Sequence, residues 1–199
     1  MTPTDILSEE HRVIEQVLGC LEKMAERSRS EGRLDRRAAK DAIAFFRTFA
    51  DRCHHGKEEA QLFPAMEAKG FSPDCGPTAV MRREHEVGRA HVRAMDEAID
   101  AAAGGDSEAL ARFAGQAVSY IRLLREHIEK EDHCLFTAAD RAFTAEDQRE
   151  LMAAFERAEA EETGEGTHET YLQLANDLAD RFGVPRAFAE HPGCGCHPC

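Results

Sequence analysis

The segment Arg52-Cys-His-His-Gly-Lys-Glu-Glu-Ala-Gln-Leu-Phe-Pro64 sets two adjacent histidines four residues ahead of two adjacent glutamates, in a stretch with no strand-like alternation. Residues four apart on an α-helix share a face about one turn along, so a His and a Glu at that interval can bring an imidazole nitrogen and a carboxylate to one point. The neighbours decide which pair faces inward. Stepping from His55 by threes and fours meets Phe45, Thr48, Glu59, Leu62 and Met66, whereas the same walk from His54 meets Arg47, Asp51, Glu58, Gln61 and Ala65. The α-helical period therefore predicts His55 and Glu59 in the core, and His54 and Glu58 on the polar face.

The interval recurs at His127 and Glu131, whose walk gives Phe113, Tyr120, Leu123, Leu124, Cys134 and Leu135, while His133 has Glu126, Glu129, Lys130 and Thr137 around it. His11 lies on the stripe of Ile14, Leu18 and Leu21, and His85 lies with Met81, Val92 and Met95. Each of four helical patterns thus offers one histidine to the core, and two add a glutamate. A buried ionised carboxylate is costly unless it is paired or holds a metal. Four imidazoles and two carboxylates exceed the needs of one tetrahedral zinc; they suit two metals, with both carboxylates bridging and two His on each. Mixed imidazole and carboxylate ligation favours iron or manganese. The competing reading, satisfied core histidines and surface glutamates, must place all six on the apolar side by coincidence. Tyr120 reads as a core tyrosine about two turns from His127, with a hydrogen bond to the site as the alternative, and His168 as a surface residue near a helix cap.

Outward from these residues the punctuation is helical. Thr2-Pro3 opens a helix to about Ser28. Asp35 caps a second that runs to about Lys69, kinked near Phe63-Pro64; a third spans Pro77 to Gly104-Gly105, and a fourth runs from Asp106 or Ser107 to about Asp140. The predicted fold is all-α, an up-down four-helix bundle over residues 1–140. A C-terminal helical extension follows over 141–186, with helices at 144–162 and 167–182, and a flexible Cys-rich tail over 187–199.

The chain has 199 residues, 25 Lys+Arg against 38 Asp+Glu and a formal charge of −13, which opposes a nucleic-acid partner. No apolar run approaches the 18 or so residues of a membrane helix and no leader is legible at the start, so no membrane partner and a cytoplasmic location are expected. Cys20, Cys53, Cys75 and Cys134 stand singly and read as reduced thiols, whereas Cys194, Cys196 and Cys199 with His197 and nearby His191 form a soft-ligand tail. That tail is a candidate second metal site or redox site, against a plain reduced tail.

The order His11, His55-Gly-Lys-Glu-Glu59, Arg83-Glu-His85-Glu, Glu126-His127-Ile-Glu-Lys-Glu131, at intervals of 44, 30 and 42 residues, resembles the hemerythrin-like cation-binding (HHE) domain over residues 4–140. The resemblance implies a non-haem di-iron centre of two iron ions in a four-helix bundle. Glu59, Glu131 and an oxo or hydroxo group would bridge it, with His11, His55, His85 and His127 as terminal ligands. Oxygen-carrying hemerythrins have HxxxH on the third helix and HxxxxD on the fourth, whereas this chain has Arg89 four after His85 and HxxxE at His127. The missing imidazole would leave a position for water, an exogenous ligand or a further side chain, with Glu58, Glu86 and His91 as candidates. The implied activity is reaction with peroxide, O2 or NO in stress defence or iron-centre maintenance, with a small diatomic or peroxide ligand and an unidentified electron donor. An iron- or oxygen-sensing module without turnover is the alternative.

Overall fold

Thr2 caps the first helix with a capping box closed by Asp5, and Pro3 occupies the first turn, where its missing N–H is not needed. The computed structural model describes residues 1–160 and 166–188; the predicted Cys194/Cys196/Cys199 site and part of the expected 144–162 helix lie outside them. Helix α1 spans Pro3–Ser30. The second arm begins at α2, Arg36–Phe45, capped by Asp35, and continues without a break through π-helical turns over Phe46–His55 and Glu58–Leu62 into α3, Phe63–Ala68. Helix α4 spans Pro77–Ala103, and α5 spans Ser107–Lys130, passing through a π-helical turn, Glu131–Leu135, into α6, Phe136–Ala142. Helices α7, Ala145–Ala158, and α8, Thr167–Phe182, follow. Among the described residues there is no strand, and no helix is long and apolar enough to cross a membrane.

Four arms pack up and down. Lys40–Asp96 and Arg36–Asp100 align the second arm antiparallel to α4; Glu97–Arg112 and His91–Gln116 do so for α4 and α5; Thr4–Asp140 and Arg125–Glu15 do so for the continuous arm α5–α6 and α1. Helix α8 lies across α1 and α2, with Ala175, Leu178, Ala179 and Phe182 in the main core. Gly19 permits this, because a Cβ there would sit 3.1 Å from the Val184 side chain that follows α8. Helix α7 adds Leu151 and Phe155 to a second, smaller cluster built on Leu7, Leu62, Phe63, Met66, Met81 and Phe136. On every arm the residues between the two clusters are the histidines and glutamates. His11 falls between Leu7 and Ile14, His54 to Glu58 between Phe49 and Leu62, His85 between Met81 and Val92, and His127 to Glu131 between Leu124 and Leu135. The bundle is thus two apolar ends around one polar layer.

Candidate metal centre

Seven ionisable side chains fill that layer, each at most 4% exposed: His11, His54, His55, Glu58, His85, His127 and Glu131. They form two groups, His55, Glu58, His85 and His127, and His11, His54, Glu58 and Glu131, each with its donor atoms within 4.8 Å of one another. Of the six residues expected from sequence, the structure brings His11, His55, His85, His127 and Glu131 together. Glu59 stands apart, with its side chain 29% exposed and its Oε1 accepting from His85 Nδ1 at 2.6 Å and from Arg89 at 2.9 Å. Glu58 has the interior place instead, and the second arm presents two imidazoles where one was expected. The predicted shortage of an imidazole is therefore corrected: the layer holds five. Arg89 turns aside to Asp51, Glu59 and Glu86; Glu86 is 72% exposed; His91 bonds Gln116.

The reason lies in the backbone. The expectation assumed α-helical turns through the motif, but Gly56 N–H reaches the Asp51 carbonyl and Phe63 N–H the Glu58 carbonyl, each five residues back. A π turn holds about one residue more than an α turn, so the inward face advances by fives through this stretch, from Phe49 to His54. The fourth arm does the same one step later, with Phe136 N–H on the Glu131 carbonyl. A signal for this was present: His54, Glu58, Leu62-Phe63 and His127, Glu131, Leu135-Phe136 share one spacing, and aligning them selects Glu58 over Glu59.

Every imidazole is held from outside by a carboxylate at Nδ1. His11 donates to Asp132 at 2.8 Å, His54 to Glu10 at 2.9 Å and His127 to Glu84 at 2.8 Å; Glu59 serves His85 as described, and Asp51 stands 3.4 Å from His55. These carboxylates carry the proton-accepting role, so Nδ1–H is assigned and each Nε2 turns inward. The outer acids are in turn met by cations: Lys57 on Glu10, Arg12 on Asp132, Lys130 on Glu84, and Arg89 on both Asp51 and Glu59. Against the penalty of its own burial, the His54 bond and Lys57 hold Glu10 down at about 2. Burial keeps His54 near 4 and His85 far below the usual imidazole range, so both are neutral at pH 7.

The interior side has no such satisfaction. His11 Nε2 faces His54 Nε2 at 3.0 Å and His85 Nε2 faces His127 Nε2 at 3.1 Å. Where neither Nε2 carries a proton these are lone pairs confronting lone pairs, an approach that becomes favourable when a cation, a metal ion or a proton, lies between them. His55 Nε2 and all four oxygens of Glu58 and Glu131 are sealed without a hydrogen-bond partner. Glu131 offers Oε2 to His11 at 3.3 Å and Oε1 to His127 at 3.2 Å; Glu58 offers Oε1 to His54 at 3.8 Å and Oε2 to His85 at 3.5 Å. Each carboxylate thus points one oxygen at each group. Burial and the neighbouring Glu131 push Glu58 well above the ordinary carboxylate range, whereas His127 and His11 hold Glu131 well below it despite its burial. His127 rises to about 9, because Glu131 and Glu84 outweigh the burial that would lower it. The donor set fits metal cations, and a metal-free centre must fill their place with protons.

A buried layer of imidazoles and carboxylates across a four-helix bundle defines a metal-binding helical bundle. Residues 2–139 match the model of the hemerythrin HHE cation-binding domain, and the chain belongs to that family. Uncharacterized proteins of Mycobacterium bovis and of two strains of Mycobacterium tuberculosis are similar to it, each 26% identical over 184 residues that cover 92% of this chain and 71% of the relative. No solved structure matches.

Proposed function

We propose that this chain holds two iron ions and reacts with peroxide, O2 or NO, in defence against those molecules or in the upkeep of iron centres. In this reading His55, His85 and His127 would hold one ion and His11 and His54 the other, with Glu58 and Glu131 serving between them. The single observation that carries it is the pair of sealed carboxylates whose four oxygens have no hydrogen-bond partner while five imidazoles turn their Nε2 atoms among them. Bound iron supplies a II/III couple and exchangeable coordination positions for a small ligand. The protein supplies the rest. The outer carboxylates fix the imidazole tautomers and raise their basicity, the two apolar clusters cover the ends of the layer, and Glu58 and Glu131 place two carboxylates side by side in the interior. Elemental analysis and an optical spectrum test the reading, with about two iron atoms per chain and near-ultraviolet charge-transfer absorption expected. One zinc per chain and a colourless protein would overturn it.

A further inference from the structure

One side of the layer is open. A cavity of about 300 Å³ lies between the second arm, α4 and α5, and His55, His85 and His127 form its floor. The opposite side is covered: Phe136 stacks on the His11 ring at 5.5 Å, and the buried Lys57–Glu10 pair, backed by Phe155, closes over His54. A liquid water occupies about 30 Å³, so the cavity has room for several times the volume of a diatomic or of hydrogen peroxide. Its walls include Phe46, Val92, Leu123 and Leu124, an apolar surface that a diatomic does not need. Three arginines (Arg47, Arg89, Arg93) and three acids (Asp51, Glu84, Glu86) share the lining, which selects neither sign of charge and suits a neutral guest.

Among the walls stands a buried tyrosine. Tyr120 is 3% exposed and its ring meets Phe46 edge to face at 5.0 Å, yet its hydroxyl makes no hydrogen bond to any described residue. Tyr120 is one of the residues that line the cavity. Buried tyrosines ordinarily place the O–H on a partner. Gly88 of α4 keeps the ring's other flank clear, since a Cβ there would lie 3.4 Å from it.

We propose that this cavity binds a neutral organic hydroperoxide, its alkyl part on the apolar wall and its oxygen accepting from the Tyr120 hydroxyl, above the three-imidazole floor. The assignment of a hydroperoxide rests on the metal reading above; the binding site itself does not. Cyclohexanol, the alcohol counterpart of a cyclic hydroperoxide and transparent in the near ultraviolet, is the probe, and the full chain reconstituted with redox-silent zinc(II) is the receptor. Because the chain has two tyrosines and no tryptophan, tyrosine difference absorption reports on the phenol directly. A saturable shift is expected in the wild type. Tyr120→Phe should abolish that shift and, by competition NMR, weaken binding about fivefold, the value of one hydrogen bond. Leu123→Trp, at the half-buried wall, should block binding, while Val118→Trp, on an exposed face of the same helix, should not. No saturable binding, or equal binding in all variants, overturns the proposal. Iron content measured separately keeps the two readings apart: a chain that takes two irons but no cyclohexanol loses only the cavity assignment.

Discussion

At the scale of the residue, Glu58 and Glu59 divide two jobs that the α-helical period alone assigns the wrong way round. Glu58 is sealed and unpaired inside the layer, and Glu59 holds the outer nitrogen of His85 and is itself held by Arg89. Glu131 and Asp132 repeat the arrangement, the first inside and the second on His11. Removing an inner donor and removing an outer one should therefore differ in kind. Glu58→Ala and His54→Ala are expected to lose most of the metal on dialysis, whereas Glu59→Ala should retain it with affinity lowered about 10- to 100-fold, the usual effect of deleting a carboxylate behind a ligating imidazole. Competition with a chromophoric chelator measures both. If Glu59→Ala empties the site and Glu58→Ala does not, the inner and outer positions are reversed.

At the scale of the element, the helix ends were legible because their causes are local. Thr2, Asp35, Asp106 and Thr144 each cap with the side chain on the third residue beyond, and glycines and prolines mark the breaks between arms. The inward faces of α1, α4 and α5 followed from the 3.6-residue period because those helices keep it as far as their histidines. The face of the second arm did not, because a π turn changes the period without changing composition, and Arg47, Asp51 and Gln61 near His54 and Glu58 imitate a solvated face. The register itself can be tested. Deleting exposed Arg52 would let the stretch relax to α turns; the far-ultraviolet dichroism should persist while bound metal is lost, and full metal occupancy in the deletion would show that the π turns do not set the site. Helix α7 offers a separate check on stability. Thr144→Ala removes a capping box from the helix that brings Leu151 and Phe155 to the lower cluster, so a loss of about 1 kcal/mol and a drop in Tm of about 2–4 °C are expected by calorimetry.

At the scale of the whole molecule, two apolar clusters enclose a layer that contributes nothing hydrophobic and contains two carboxylates without hydrogen-bond partners. Each unsatisfied buried group costs about 1–3 kcal/mol, more when charged, so the bundle stores an instability that a cation relieves. Metal should then act as a folding ligand: at a free concentration a hundredfold above Kd, one site adds about 2.7 kcal/mol, which for a chain of this size raises Tm by about 5–11 °C. Glu58→Gln separates this linkage from ordinary packing. It keeps the shape of the side chain, removes the burial cost and the repulsion with Glu131 that together hold the Glu58 carboxyl well above its ordinary range, and removes a metal oxygen donor's charge. In the metal-free protein at neutral pH the substitution should leave Tm equal or higher; in the metal-loaded protein it should lower Tm, so the sign of its effect reverses with metal. Thermal melts of both proteins, with and without metal, decide the matter. A substitution that destabilises both states by the same amount would make Glu58 a packing residue and leave the polar layer without its proposed purpose.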